Sequence, residues 1–254
     1  MKVGFAGAGN MAGAMARGWA SGPGGPEAML FCDIDADRAA ALAAQAGGGT
    51  RDTLRELTVD SDVVVLAVKP TALEAVADEL EGKAPALLSL LGVTPIARIA
   101  EAFPGVPVLR VMPNQPVEVR RGVLCHAPAH EMPDDLRDEL LRLLGALGEV
   151  VALGEEQIDA AMAIMSSSPA YIALVAEALA RGGRSEGLEP AVADRLVSGA
   201  LAGTAALLRE RDPETIRAAV ASPGGATEAG LTQLEGVVEE AFVRAVNVSL
   251  ERFR

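Results

Sequence analysis

Short apolar runs alternate with segments of helical period through roughly the first 154 residues. Beyond them only the helical period persists. Residues 3–8, Met29–Cys32, Val63–Val68, Leu87–Leu91 and Val108–Met112 read as strands, with Gly122–Cys125 and Val150–Leu153 completing a sheet. The unbroken apolar character of Val63-Val-Val-Leu-Ala-Val68 suits a central parallel strand covered on both faces. Helices are predicted from about Met11 to Ala20, from Asp35 to Ala46, from Pro70, and from a Thr94 cap. Gly22–Pro26 and Gly47–Gly49 punctuate them. This alternation predicts a doubly wound α/β domain over residues 1–154.

Residues 155–254 carry no strand signal. Ile158–Met165, Ala170–Arg181, Pro190–Arg211, Pro213–Ala221 and Ala229–Phe253 are helical in period. Several, such as Ala170-Tyr-Ile-Ala-Leu-Val-Ala176, are apolar on more than one face, and such a helix must be buried. An all-helical domain of about 100 residues is too small to bury them all. The pattern therefore predicts an intertwined homodimer, with a compact monomeric bundle as the alternative.

Half of the 254 residues are apolar but only 3% are aromatic, which favours helices packed closely on small side chains. A net charge of −13 argues against nucleic acid and against an anionic membrane surface, since no basic stripe exists to neutralise phosphates. The two cysteines, Cys32 and Cys125, lie in strand-like runs, which fits reduced thiols and a cytoplasmic location. Gly7 and Gly9 interrupt what would otherwise resemble a secretory leader. No uninterrupted apolar stretch approaches the ~20 residues needed to span a bilayer.

Two glycine-rich turns carry the candidate chemistry. Gly7-x-Gly9-x-x-Ala12 follows a strand and opens a helix, the context a dinucleotide pyrophosphate requires. Gly7 permits the sharp turn, Gly9 leaves room for phosphate, and Ala12 lets the helix pack on the strand. Asp33, ending the second strand, is placed to accept hydrogen bonds from the adenine ribose and to repel a 2′-phosphate. It points towards NADH over NADPH, with a helix cap as the plainer reading. Val68, Lys69 and Pro70 end the third strand at the carboxyl edge of the sheet, where ligands bind. Asn114, between Pro113 and Pro116, is a stiffened amide for the nicotinamide or the side chain of an Asx turn.

Near the other end, Ser222-Pro-Gly-Gly-Ala-Thr227 joins two helices. Gly224 and Gly225 allow positive φ, and the free N–H groups of the next helix offer a carboxylate site beside the Ser222 and Thr227 hydroxyls. Locally, the same residues also fit a plain turn with Thr227 as cap. Cys125-His126 with His130-Glu131 runs into an Ala-Pro loop, so convergence on a metal is not expected. No acid–base group stands out near either turn. Carbonyl reduction needs a proton donor, whereas a protonated imine needs only positioning and hydride.

These motifs, in this order, resemble the pyrroline-5-carboxylate reductase family over nearly the whole chain. The resemblance runs through Gly7-Ala-Gly-Asn-Met11, Ala67-Val-Lys-Pro70, Gly92-Val-Thr94, Arg110-Val-Met-Pro-Asn-Gln-Pro116, Ser168-Pro-Ala-Tyr171, Glu177-Ala-Leu179 and Ser222-Pro-Gly-Gly-Ala-Thr227, the last being the most specific. It implies a Rossmann domain followed by a helical dimerisation domain, dimers that assemble further, and NAD(P)H-dependent reduction of 1-pyrroline-5-carboxylate to L-proline. It implies that Gly224, Gly225, Ala226 and Thr227 hold the substrate, with Ser222 and Thr227 as the reactive-site hydroxyls. Asn10, Met11, Lys69, Pro70 and Asn114 would line the cofactor cleft, and the substrate turn would face a cofactor held by the other subunit. Three segments depart from the family pattern, Leu90-Leu91 before Gly92, Met165-Ser166 before Ser167, and Gln115 where Thr is usual, and they leave as alternatives a paralogous reductase of another small cyclic imine or keto acid and a non-catalytic NAD(P)-binding regulatory homologue.

Overall fold

Aliphatic runs become strands because a pleated strand covered on both faces buries every side chain it carries. The computed structural model describes residues 1–80 and 83–253. They form two compact units, one of residues 1–167 with the chain's end from Leu250, the other Ser168–Ser249.

The first unit holds one eight-stranded sheet. Its strands are β1 (Lys2–Ala6), β2 (Ala28–Cys32), β3 (Gly49–Thr50), β4 (Val63–Leu66), β5 (Leu87–Ser89), β6 (Val108–Pro113), β7 (Gly122–His126) and β8 (Gly148–Ala152). The spatial order is β3-β2-β1-β4-β5-β6-β7-β8. All neighbours are parallel except β6 and β7. The order reverses between β1 and β4, so the carboxyl ends of these two strands open the crevice where ligands bind in doubly wound sheets.

Alternation sorts the side chains onto two faces. Val3, Phe5, Val63 and Val65 enter one core with Trp19 of α1 (Asn10–Ala20), α2 (Ala36–Ala46) and α6 (Asp134–Gly145). Ala6, Val64 and Leu66 enter the other, with α3 (Leu54–Val59), α4 (Leu73–Leu80) and α5 (Ile96–Ala102). Phe5 stacks on Phe31 at 5.0 Å, and the Trp19 indole donates to the Leu143 carbonyl at 2.8 Å. A third cluster seats α7 (Ile158–Met165) against β7 through Ile158, Met162 and Cys125.

The second unit consists of α8 (Ser168–Ser185), α9 (Pro190–Leu207), α10 (Pro213–Val220), α11 (Ala226–Leu234) and α12 as far as Ser249; α12 spans Val237–Phe253. Tyr171 of α8 bonds Ser249 of α12 at 2.8 Å and packs on Phe242 at 6.2 Å.

The structure corrects several expectations. β3, α3 and α6 had no prediction, although Thr53 and Glu56 form a reciprocal capping box at the start of α3. Thr94 does not cap α5: the cap position falls one residue later, on Pro95, and the Thr94 hydroxyl instead donates to Gly92 O at 3.2 Å. The helix expected over 229–253 is two helices, broken at Glu235–Gly236. Within helical residues 155–185 an 18-residue stretch reaches a mean hydropathy of 1.4, enough by length and composition to cross a membrane. Asp159 and Ser166–Ser168 interrupt that run, and Ile158, Met162 and Met165 at its start are buried in the third cluster.

Candidate active site

The glycine turn follows β1 directly. Gly7 has φ +99°, and a Cβ there would lie 2.7 Å from the Ala67 carbonyl, so only glycine fits. Gly9 is the extended residue before α1, with no side-chain cap on the helix. A Cβ at Gly9 would meet nothing within 4 Å. That open space over uncapped helix amides fits a pyrophosphate. Ala12 is buried against the sheet, Asn10 is exposed, and Met11 packs partly on the core.

Asp33 turns back onto this loop. Its Oδ2 accepts the Ala8 N–H at 2.7 Å and its Oδ1 accepts the Asp35 N–H at 2.9 Å. The carboxylate thus fixes the turn, and its side chain is itself nearly buried. Arg38 lies 3.8 Å from Asp33 and 3.2 Å from Asp35. With Arg17, Gln45 and Gly9 it lines a groove of about 330 Å³. Arg17 bonds Glu118 at 2.7 Å, and this bond holds the Glu118 carboxyl below its usual range. Sequence reading passed over Arg17. The signal was helical spacing, because Asn10, Gly13 and Arg17 share one face of α1.

The Cys32 thiol, at the end of β2, is pushed up to about 11 by burial first and by Glu79 and Asp33 next. It stays a neutral thiol there.

At the carboxyl edge of β4, Val68 packs partly on the core, while Lys69 and Pro70 are exposed and begin a single 3-10 turn. Asn114 is buried. Its Oδ1 accepts the Val123 N–H at 2.9 Å and its Nδ2 donates to the Met165 carbonyl at 3.1 Å. The amide therefore ties β7 and the end of α7 to the sheet, a different job from the Asx turn considered above. Gln115 donates to Glu118 at 2.9 Å, Leu91 is buried, and the Ser166 hydroxyl rests on Met165 sulfur at 3.6 Å.

Arg110 is a functional-looking residue that received no role from sequence. A charge inside the apolar strand Val108-Leu-Arg-Val-Met112 was the available signal, since a buried charge needs partners. It donates to Glu155 at 2.7 Å and lies 3.5 Å from Asp159. Glu155 also accepts the Ile96 N–H at 2.9 Å, so one carboxylate anchors the start of α5 to the sheet. Above it, Val93 adopts φ +58° and is half exposed, strained backbone at the same sheet edge.

In the second unit, the Ser222–Thr227 turn opens α11. Gly224 takes φ +74°, whereas Gly225 is extended and serves as the N-cap position. Gly225 N–H closes the turn onto Ser222 O at 2.9 Å. Among the described residues the Ala226, Thr227 and Glu228 N–H groups have no acceptor, and the exposed Ser222 and Thr227 hydroxyls have no partner. Three amides and a hydroxyl at a helix start form a ready carboxylate cradle. Thr227 lies within the first helical turn and is not its cap. Beside the turn, α10 and α11 enclose a groove of about 530 Å³ reached by Gly224, Gly225, Arg217 and Glu228.

Comparison with known proteins matches both halves of this arrangement. Residues 155–254 match the family described as pyrroline-5-carboxylate reductase dimerisation, and residues 2–91 match NADP oxidoreductase coenzyme F420-dependent. A pyrroline-5-carboxylate reductase of Synechocystis is 37% identical, covering 76% of this chain and 74% of the relative. One from Pseudomonas aeruginosa is 34% identical over 99% and 95%. The crystal structure of the Streptococcus pyogenes 1-pyrroline-5-carboxylate reductase superposes with a TM-score of 0.89 at 27% identity, covering 100% of this chain and 98% of that one.

Proposed function

This chain belongs to the pyrroline-5-carboxylate reductase family, an oxidoreductase family, and from that membership we propose how it reduces 1-pyrroline-5-carboxylate to L-proline. The cradle at the start of α11 carries the reading. Ala226 and Thr227 offer free N–H groups to the substrate carboxylate, on a bend that Gly224 and Gly225 shape. The Thr227 and Ser222 hydroxyls meet the ring nitrogen side. NAD(P)H, when bound, would supply the hydride that the imine carbon accepts. The imine nitrogen arrives protonated and keeps its proton as the secondary amine, so no side chain has to act as an acid. The protein's part is to orient the ring and hold its negative group.

Gly7, Gly9, Asn10 and Met11 would seat the pyrophosphate. Val68, Lys69 and Pro70 would line the path to the nicotinamide, with Asn114 stiffening its floor. We place the division of labour at residues 1–154 for cofactor and 155–254 for substrate and dimerisation. The partner is a second copy joined through the C-terminal helices, whose substrate turn faces the first copy's cofactor; such dimers assemble further. Buried, reduced cysteines suit a cytoplasmic setting.

Asp33 and Asp35 favour NADH, because each repels a 2′-phosphate. A second reading has its own observation: Arg38 and Arg17 in the adjoining groove would neutralise that phosphate and admit NADPH. Oxidation of NADH and NADPH, measured side by side with 1-pyrroline-5-carboxylate, decides both matters. Turnover with NADH at the higher kcat/KM is expected. No turnover with either cofactor would defeat the assignment.

A further inference from the structure

Glu228 occupies an amide of the very turn that receives the substrate's carboxylate. Its Oε2 accepts the Gly224 N–H at 2.7 Å. The bond bridges the first turn of α11 to a glycine in left-handed backbone. The carboxylate also lines the groove beside the turn, together with Glu214, Glu235 and Arg217. Arg217 is 3.5 Å from Glu235, so the one guanidinium on this groove is already paired. Of these carboxylates Glu228 alone lies in the first turn of α11, whose positive end attracts an anion, while Glu235 caps the opposite end of the helix.

We infer that Glu228 sets the enzyme's affinity for its anionic substrate, an inference that rests on the function proposed above. Its hydrogen bond holds Gly224 in place, and its charge offsets part of the field that draws in the substrate carboxylate. The two effects separate chemically. Glutamine keeps an acceptor for the Gly224 N–H and removes the charge; alanine removes both.

The test compares 1-pyrroline-5-carboxylate with 1-pyrroline, which has the same imine and no carboxylate, at saturating cofactor. In Glu228→Gln, KM for the carboxylate substrate falls about three- to tenfold, the range for losing one like charge near a partly solvated site. KM for 1-pyrroline shifts less than about twofold, because no anion is involved. Added salt lowers KM for the carboxylate substrate in the wild type and does so much less in the variant. Glu228→Ala, which also frees Gly224, loses kcat with both substrates. An unchanged KM in Glu228→Gln, or an equal shift with both substrates, overturns the inference and leaves the proposed reaction standing. A wild-type protein that reduces neither compound overturns the proposed reaction and this inference with it.

Discussion

The two units use equally apolar chain in opposite ways. In the first, Phe5, Phe31, Leu66, Leu88 and Phe103 are sealed between sheet and helices. In the second, Ala180 and Ala193 are the buried apolar residues among those described, while Leu174, Leu196, Val220, Val243 and Val248 stand more than half exposed. A two-layer fold closes around its own strands, but a short set of helices has too little volume to cover its apolar stripes. Exposed faces of this kind mark an interface. The match to a dimerisation family says what such an interface is for. One region carries its core within the chain; the other leaves apolar faces open on a domain that matches a dimerisation family.

The sharpest way to break this comparison is a charge on each kind of surface. Leu196→Asp on α9 is expected to give a monomer by light scattering and to lower activity by about 100-fold or more, since an uncompensated charge would have to be buried. Val59→Asp, at a still more exposed position of the first unit, should leave both assembly and activity alone. If Leu196→Asp still elutes as a dimer, the exposed face of α9 is not the seam. Next in size, Phe103→Ala opens a cavity in the first unit and should cost about 3–5 kcal/mol in denaturant unfolding.

Thr227→Ala probes the second unit's chemistry without touching a core. It is expected to lower kcat/KM by about 10–100-fold through lost polar contacts to substrate, with melting temperature unchanged. An unaltered rate would remove Thr227 from the mechanism.

The smallest effect concerns Cys32. Its thiol ionises near 9.0 when unfolded and only near about 11 when folded. The unfolded chain therefore releases its proton first, and stability declines as pH rises through that window. At pH 8 the folded protein should resist alkylation at Cys32, while the denatured protein reacts readily. Rapid labelling of the native protein would show that β2 opens more easily than its burial implies.

Much of this molecule was legible from residue order alone. Strands, most helices, the doubly wound sheet and both glycine turns follow from periodicity and from φ freedom, which are properties of neighbours along the chain. Gly7 and Gly224 were readable because a positive φ favours glycine wherever it occurs. The partners of polar side chains were not readable. Asn114 is bound to Met165, Arg110 to Glu155 and Arg17 to Glu118, each pair far apart in sequence. Only the packed sheet brings them within hydrogen-bond reach. The same holds for Asp33, which reads as a ribose ligand by position yet also locks the glycine turn. Local pattern determined which elements form and where the chain must bend. Tertiary packing decided what each charge and amide touches, because a hydrogen bond is satisfied through space and sequence spacing does not encode that distance.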